Sequence, residues 1–402
     1  WVLYGVYRAA QRSAYELESL IFLLISIGAA VTAAYDPASL YKLLITVVMG
    51  MVLFLAMSGV LRDLHLSIRA RWPVAIAAGA LLAFNVVLGE RIFGAKNWIY
   101  IGPLSFQPSE LVKIAFILAG AATLDRLFAK RNLVFTILFS AYCVGCLALM
   151  SDFGTALIFF VAFLCIAFLR TGDLPSIAMM VAAAAFGCGI ILRFKPYIAD
   201  RFAAWRHAWD YAQDIGYQQT RTMSAMASGG LFGVGPKDGW LKYVGAANTD
   251  LVFGVVGEEF GFLLALCCVA ALVIPIVFTL RCAAAARSSF YTILSCATAA
   301  MLVCQMALNV LGAVDLLPLT GVTFPFVSMG GSSMISCWGL MAYLKAADTR
   351  QNASFALRLS KLAPQQQEKK AAPAPKARPK APQEGFFADR PDIPVDKIFG
   401  KE

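Results

Sequence analysis

The amino-acid sequence predicts an all-α integral membrane protein of about ten transmembrane helices, with a large extracytoplasmic loop between helices 7 and 8 and a disordered C-terminal tail. One reason is composition, because the 402 residues are 60% hydrophobic and 14% charged, whereas soluble domains average about 45–50% apolar and about 25% charged residues. Another is distribution, since the apolar residues form repeated runs that each lack charge. Basic residues also collect in alternate connections between these runs. Together these features exclude a soluble enzyme.

Ten apolar runs are long enough, or nearly long enough, for a spanning helix of about 20 residues. They lie at residues 19–35, 43–61, 72–89, 109–124, 133–150, 153–169, 174–193, 260–280, 290–311 and 323–344. With their connections they form one predicted membrane domain over residues 1–350.

Short basic connections indicate the side of the membrane that faces the cytoplasm. They are residues 62–71, 126–131, Arg170, 281–287 and the chain from Lys345 onward, and Arg8 and Arg12 agree. An even number of crossings returns the chain to this side, so both termini are predicted to be cytoplasmic. The net charge of +10 therefore reflects orientation and attraction to anionic membrane lipid, and it does not indicate nucleic-acid binding.

The remaining connections are predicted to face outward. They are residues 89–108, the turn at Asp152, the long loop at about 194–250, and residues 312–331. The long loop contains three tryptophans and a glycine-rich run at 228–235. A loop of this length in a compact protein is usually functional or disordered, and tryptophan beside apolar runs indicates the membrane surface.

The tail over residues 351–402 is rich in Pro, Ala, Lys and Gln. Such a segment cannot bury enough apolar surface to fold, so it is predicted to be disordered and cytoplasmic. The ten cysteines all fall inside or beside apolar runs, which is typical of helix-packing residues and not of a disulfide scaffold.

Ionisable groups occur at the outer end of the helix predicted from residue 109. Pro108 ends the preceding loop, and Ser109 is a candidate N-cap. Glu110 and Lys113 are three residues apart and so share one helix face. A structural ion pair and a direct role in substrate binding are both open interpretations.

Asp152 opens the helix predicted at 153–169, where the positive end of the helix dipole stabilises a carboxylate. Capping alone accounts for this residue. A structural role or pairing with a base is favoured over a catalytic one.

Three carboxylates lie where the long outer loop returns to the membrane, namely Asp250, Glu258 and Glu259. A helix cap needs only one of them. A carboxylate in a partly dry site can have a raised pKa and act as a general base, or it can hold a divalent cation against a phosphate. Capping and pairing with loop arginines is the favoured interpretation for at least one of the two glutamates.

The segment 317–333 interrupts an apolar region with two prolines, several hydroxyl groups and glycines. Broken backbone at membrane depth is tolerated only where it is buried in protein or lines a wet cavity. Its free amides suit an anionic group such as pyrophosphate. Basic residues on the same side favour a phosphate-bearing ligand, although for each one alone a solvated surface is the simpler interpretation; they are Arg91, Lys96, Arg193, Lys195, Arg201, Arg206, Arg221, Lys237 and Lys242.

Several short motifs follow one another over residues 90–345. They are Gly94-Ala95-Lys96-Asn97-Trp98-Ile99, Gln107-Pro108-Ser109-Glu110 with Lys113, Asp152-Phe153-Gly154-Thr155-Ala156, Gly216-Tyr217-Gln218, Ser228-Gly229-Gly230, Thr249-Asp250 with Gly257-Glu258-Glu259, Gln305, Asn309, Thr320-Gly321, and Pro325-Phe326-Val327-Ser328-Met329-Gly330-Gly331-Ser332-Ser333. In this order they resemble the shape, elongation, division and sporulation family, which contains RodA and FtsW. Asn97, Ser151 and Met329 depart from the residues common in that family.

The resemblance implies a peptidoglycan glycosyltransferase that polymerises lipid II, an undecaprenyl-pyrophosphate-linked disaccharide-pentapeptide, on the outer face of the bacterial cytoplasmic membrane. It implies Asp250 as the catalytic base, a divalent cation (Mg²⁺ or Mn²⁺), and a class B penicillin-binding protein transpeptidase as partner, for cell elongation or division. The positions expected to bind substrate are Lys96, Trp98, Glu110, Lys113, Asp152, Arg201, Gln218, Glu258, Glu259, Ser328, Gly330 and Ser332.

Two other functions fit parts of the sequence. A flippase for a lipid-linked cell-wall precursor would also have intramembrane charges and broken helices, but it would place the charges near mid-membrane with access from both sides. A scaffold that only recruits the transpeptidase would not depend on Asp250. The clustering of charges toward one face favours the enzyme.

Overall fold

The computed structural model describes residues 2–9, 15–92, 95–101, 104–123, 130–194, 196–283 and 288–347. The predicted disordered tail at 351–402 lies outside the described residues. Arg12, Lys195 and parts of the predicted cytoplasmic connections 126–131 and 281–287 also lie outside them.

The described chain is helical with one small sheet. Its helices are α1 (Val2–Ala9), α2 (Glu16–Tyr35), α3 (Leu40–Val60), α4 (Leu64–Arg69), α5 (Arg71–Leu88), α6 (Pro108–Thr123), α7 (Lys130–Leu149), α8 (Phe153–Thr171), α9 (Leu174–Phe194), α10 (Pro196–Ala204), α11 (Tyr217–Gly229), α12 (Val252–Glu259), α13 (Phe262–Ala283), α14 (Ser289–Ala313) and α15 (Gly331–Ala346), with 3₁₀ turns at Pro37–Ser39 and Leu241–Tyr243. Each of the ten predicted apolar runs overlaps one of these helices.

Six helical stretches in the described residues are long and apolar enough to cross a membrane. They are α2, Pro37–Val60, α5, α8, α13 and α14. Helices α7 and α9 contribute shorter apolar stretches, at Val134–Leu149 and Leu174–Gly189, and α6 and α15 have 16 residues each. A helical protein with several membrane spans is thus confirmed.

The outer connection at 89–108 is not the plain loop that the sequence suggested. Strands β1 (Glu90–Ile92), β2 (Ala95–Ile101) and β3 (Leu104–Phe106) form an antiparallel sheet in that order. The motif residue Trp98 pairs with Glu90 across it. Alternating β-branched and aromatic residues in β2 suit a strand, but the stretch is short and joins two apolar runs, which conceals this signal.

The long outer loop is also largely structured. It contains α10, α11 and the 3₁₀ turn Leu241–Tyr243, and α12 follows it directly. Helix α12 is buried along its whole length and packs against α11. This loop is therefore largely folded.

The apolar run predicted at 323–344 becomes helical only at Gly331. Pro318 and Pro325 carry no backbone N–H, which disfavours a regular helix through this stretch. We call residues 314–330 the broken segment. It packs closely on α2, because a Cβ at Gly28 would overlap the carbonyl oxygen of Val327.

Helix α15 lies at the centre of the molecule and packs against α3, α6 and α14. Its Trp338 and Tyr343 side chains are completely buried. Helix α14 packs in turn against α8 and α13. These contacts hold the C-terminal end of α14, the broken segment and the start of α15 in one place.

The sequence analysis placed Lys345 at the start of a cytoplasmic connection, and this prediction is wrong. Lys345 is buried in the last turn of α15, and its Nζ pairs with Glu18 Oε1 at 3.0 Å. The Tyr7 hydroxyl donates to the same oxygen at 2.6 Å. Burial of a lysine requires a paired carboxylate, and Glu18 is more than 300 residues away in sequence, beyond the reach of local charge patterns.

Candidate functional site

Asp250 lies in the turn that precedes α12. Hydrogen bonds from α14 and from the broken segment hold the backbone of this turn. Asn309 Nδ2 on α14 donates to the Asp250 carbonyl oxygen at 2.8 Å and to that of Val322 at 2.7 Å. The Ser328 hydroxyl donates to the carbonyl oxygen of Thr249 at 2.6 Å. One buried amide therefore ties the acidic turn to the broken segment.

The broken segment passes directly beside the Asp250 carboxylate. Gly321 has φ 72°, a conformation that side chains rarely adopt. A Cβ added there would lie 3.2 Å from Asp250 Oδ2. Glycine at this position therefore serves both the turn and the close approach.

Burial raises the pKa of the Asp250 carboxyl to about 6. A hydrogen bond from Thr249 and the positive charge of Arg201 act in the opposite direction, and the negative charge of Asp152 adds to the rise. A carboxylate with this pKa is largely deprotonated at neutral pH and is also a competent proton acceptor.

Asp152 caps α8 and joins three parts of the chain. Its Oδ1 accepts from the Thr155 amide at 3.1 Å. Its Oδ2 accepts from Asn97 Nδ2 at 2.8 Å and from Gln107 Nε2 at 3.3 Å. The predicted capping role is present, and the same carboxylate also links β2 to the start of α6.

Glu110 and Lys113 form the predicted ion pair, with Lys113 Nζ 2.8 Å from Glu110 Oε1. Both side chains are almost fully buried. Lys113 also donates to Gln305 Oε1 at 3.1 Å, and Gln305 Nε2 donates to the carbonyl oxygen of Thr323 at 3.1 Å. This polar network thus connects α6, α14 and the broken segment.

The hydrogen-bond networks of Asp250, of Asp152 and of the Glu110–Lys113 pair lie next to one another. Gln305 and Asn309 are one turn apart on α14, and they bind the adjacent residues Thr323 and Val322. Ser332 at the start of α15 accepts from the Gln107 amide at 3.4 Å. The first turns of α6, α8 and α15 and the C-terminal part of α14 thereby bring Asp152, Glu110, Lys113 and Asp250 into one polar region.

Arg201 is a second cation at this region, and its positive charge acts on Asp250. Its Nη1 donates to the carbonyl oxygen of Leu319 at 2.6 Å, on the broken segment. Gln218 lies on α11, where its Nε2 donates to the Gly245 carbonyl at 3.0 Å. Gln218 therefore braces the loop that leads to Asp250.

Lys96 and Trp98 lie on β2, at the edge of the polar region. The Lys96 ammonium donates to the carbonyl oxygens of Val86 and Val87 at 2.9 and 3.0 Å, so two of its three donors cap the end of α5. The backbone amide of Lys96 donates to the carbonyl oxygen of Met150, two residues before the Asp152 cap. In this arrangement Lys96 fixes β2 against the outer ends of two helices.

Glu258 and Glu259 lie apart from the three networks, at the end of α12. Glu258 accepts from the amides of Trp240 and Leu241 at 2.8 and 3.0 Å, so it caps the 3₁₀ turn with backbone donors and not with arginines. Burial, followed by neighbouring negative charges, raises the pKa of Glu259 above its usual range, against the lowering effect of Lys237 and Lys242. These glutamates shape the outer loop.

Ser328, Gly330 and Ser332 are the predicted sites within or next to the broken segment. Ser328 accepts from the Phe324 amide at 2.8 Å while its hydroxyl holds Thr249. Gly330 precedes α15 as its N-cap residue. Of these three residues, Ser328 therefore holds the backbone next to Asp250.

The sequence analysis quoted Asn97, Gln107 and Asn309 as motif residues and assigned none of them a role in the site. All three donate to acidic or carbonyl groups of the site. The sequence did indicate a role for Asn309. Gln305 and Asn309 are polar, four residues apart and inside an apolar run, a pattern that is typical of a buried polar helix face. For Asn97 the signal is absent, since strand pairing decides where it points.

Among the described residues there is no group of three or more His, Cys, Asp or Glu side chains that could hold a metal ion. Asp152 and Asp250 are near enough to influence each other electrostatically. Mg²⁺ commonly binds one or two carboxylates together with substrate phosphates. Asp152 and Asp250 could therefore bind a divalent cation only together with a phosphate-bearing ligand that supplies further oxygen ligands.

The chain matches the model of the cell cycle protein family FTSW_RODA_SPOVE over residues 17–353. It is 30% identical over 272 residues to a probable peptidoglycan glycosyltransferase FtsW from Borreliella burgdorferi, which covers 66% of this chain and 74% of that one. It is also 30% identical over 336 residues to the peptidoglycan glycosyltransferase RodA of Mycobacterium leprae, covering 78% of this chain and 70% of the relative.

Solved structures with the same fold are similar over most of the chain. One chain, from a structure described as showing coordination of polymerization and crosslinking by a peptidoglycan synthase complex, matches with a TM-score of 0.70 and 26% identity, covering 85% of this chain and 99% of its own. The rod shape determining protein RodA of Thermus thermophilus matches with a TM-score of 0.63 and 23% identity, covering 85% and 98%.

Proposed function

This chain belongs to the FtsW, RodA and SpoVE family of cell cycle proteins, and from this premise we infer that it is a peptidoglycan glycosyltransferase that polymerises lipid II. The observation that carries the assignment within the molecule is Asp250, a carboxylate with a raised pKa beside the broken segment and Arg201. Relatives that are named peptidoglycan glycosyltransferases support the same activity.

In the proposed reaction a sugar hydroxyl of the acceptor attacks the anomeric carbon of the donor. The new glycosidic bond forms as the bond from that carbon to the pyrophosphate oxygen breaks, and the undecaprenyl pyrophosphate leaves with the bonding electrons. Asp250 accepts the proton of the attacking hydroxyl. Arg201 stabilises negative charge on the leaving group.

A divalent cation, Mg²⁺ or Mn²⁺, is part of the proposal. When bound with the substrate it would neutralise charge on the pyrophosphate. Asp152 is the carboxylate that would hold it, since Asp250 is needed as the base. Asp152 already accepts hydrogen bonds from three neutral donors, which orient its carboxylate.

We propose ten crossings, both termini in the cytoplasm and the site at the outer surface of the bacterial cytoplasmic membrane. The polar networks support this topology because they occupy the first turns of α6, α8 and α15 and residues 305–309 near the end of α14. A flippase would place such groups near mid-membrane with access from both sides, so the arrangement favours a polymerase. A class B penicillin-binding protein is the proposed partner, supported by the likeness to a synthase complex.

The test of this function is glycan synthesis by the purified chain together with a candidate class B penicillin-binding protein. Fluorescent lipid II and Mg²⁺ or Mn²⁺ are added, and products are separated by length on a gel. Long glycan without any added polymerase supports the proposal. If the intact complex yields no glycan but moves lipid II across vesicle membranes, the flippase is the correct function.

The rate of polymerisation is expected to depend on the protonation of Asp250. Because its pKa is about 6, the carboxylate is deprotonated above that pH and active as a base. Below it, the active fraction falls about tenfold per pH unit. Initial rates measured from about pH 4.5 to about pH 8 are therefore expected to rise through about pH 6 and then level. A rate that is constant across this interval would contradict the assignment.

The loop around Phe232 is expected to enter the outer leaflet of the membrane. Phe232 and Leu231 are 81% and 63% exposed. The amides of Phe262 and Leu263, the first residues of the spanning helix α13, donate to the carbonyls of Gly230 and Leu231 at 2.9 and 3.3 Å. The loop therefore lies at the depth where α13 begins, and exposed aromatic residues at that depth favour the lipid interface.

The photo-crosslinking residue p-benzoylphenylalanine in place of Phe232 tests this depth in liposomes. Mass spectrometry is expected to detect adducts with lipid chains after illumination. The same residue in place of Gln213, an exposed polar position of the outer loop, is the control and is expected to give few lipid adducts. Equal adduct yields at the two positions would refute the placement.

A further inference from the structure

Asp315 lies just after α14 and binds two other parts of the chain. Its Oδ1 accepts from the Arg206 amide and from Gln219 Nε2, both at 3.1 Å, and its Oδ2 accepts from the Ala208 amide at 3.4 Å. Arg206 and Ala208 follow α10, whereas Gln219 lies on α11. One carboxylate thus gathers donors about 100 residues away in sequence.

The contacts around Asp315 continue along the broken segment toward the site. Trp205 Nε1 donates to the carbonyl oxygen of Leu316 at 3.0 Å, and Arg201 Nη1 donates to that of Leu319 at 2.6 Å. Two residues further, Gly321 lies against the Asp250 carboxylate. Residues 201–208 and 315–319 therefore lie side by side, with Asp315 at the end farther along the chain from Gly321.

Asp315 is held in a backbone conformation that few side chains favour, with φ 57°. Asn and Asp are the residues that tolerate it best. This conformation carries the carboxylate onto the amides of the 206–208 turn, where an ionised acceptor makes stronger hydrogen bonds than a neutral one. The position is outside every motif that indicated the family.

We propose that Asp315 is a positioning residue, which anchors the segment bearing Arg201 to the broken segment and so holds the Arg201 guanidinium beside Asp250. The proposal rests on the proposed function for its catalytic consequence. Its structural part, the anchoring of residues 201–208, stands on the hydrogen bonds alone.

The consequence concerns the protonation of Asp250. The groups that act on it are Arg201 from α10, Asp152 at the start of α8, and Thr249 next to it in the chain. Arg201 is the cation of this set and lowers the pKa of Asp250 against burial. Release of Arg201 is therefore expected to raise that pKa and to move the acidic limb of the rate profile toward higher pH.

A double-mutant cycle tests the proposal through pH–rate profiles of polymerisation by the full chain with its transpeptidase. Asp315→Ala and Arg201→Met are each expected to move the acidic limb upward by about 0.5–1 pH unit, and the double variant is expected to match Arg201→Met alone. Asp315→Asn retains one acceptor oxygen and is expected to give a smaller shift. Asp210→Ala, at an acid of the same turn that is 76% exposed, is the control and is expected to keep the wild-type profile.

A merely structural role for Asp315 would lower the rate without moving the profile, and this result would overturn the proposal, as would fully additive shifts in the double variant. Hydrogen–deuterium exchange provides a readout that does not need activity. Asp315→Ala is expected to accelerate amide exchange in peptides covering 201–208, and unchanged exchange would also overturn the proposal. If wild type makes no glycan, the proposed function fails, while the exchange result still decides whether Asp315 anchors this segment.

Discussion

Replacement of Asp250 by Asn is expected to lower the rate of glycan polymerisation by about 10²–10⁴-fold, the usual contribution of a general base. Asparagine keeps the size of the side chain and removes the proton acceptor. The backbone contacts of residue 250 with Asn309 do not involve the carboxylate, so the variant is expected to fold and to bind its transpeptidase as wild type does.

The matched control for this substitution is Asp238→Asn. Asp238 is an exposed acid of the same outer loop, and its replacement is expected to leave the rate within a factor of two or so. Initial rates with saturating lipid II compare the three proteins. Loss of activity in both variants would point to damage to the loop, and retention in both would remove Asp250 from the mechanism.

Replacement of Lys113 by Met is expected to destabilise the protein by about 3–5 kcal/mol, because it leaves the Glu110 charge buried without its partner. The two side chains are only 1% and 6% exposed. The double variant Glu110→Gln with Lys113→Met removes both charges and is expected to recover most of this loss. Lys42→Met, at an exposed lysine of α3, is the control and is expected to change stability little.

Thermal unfolding in detergent measures these differences. A Lys113→Met protein as stable as wild type would contradict the buried-pair account. The double variant also separates the two interpretations of the pair. A stable and active double variant makes the pair structural, whereas a stable and inactive one assigns it to substrate binding.

Hydropathy predicted the helical framework well. A segment that crosses the membrane must be apolar along its length and must satisfy its own backbone hydrogen bonds, and a helix meets both conditions. The break around Pro318 and Pro325 was also visible, since proline removes a backbone donor wherever it lies. What escaped prediction depends on partners far away in sequence. Lys345 was assigned to a cytoplasmic connection, and only the fold shows that Glu18 neutralises it.

The candidate site was likewise predictable only in part. The region of Asp250, Asp152, Glu110 and Lys113 was predicted from acids and bases at helix ends, and the helix packing brings these residues to one wall. The networks that orient them were not predicted, because Asn97 lies on an unforeseen strand and Asp315 acts through backbone amides of residues 206–208. Composition alone contains no information on such contacts.

The most direct measurement of the central claim is the length of glycan made from lipid II by wild type and by Asp250→Asn, each purified in complex with the same transpeptidase. Long strands from wild type and none from the variant, with equal amounts of complex, are the predicted result. Equal strands from both proteins would contradict the claim that Asp250 is the base of a lipid II polymerase.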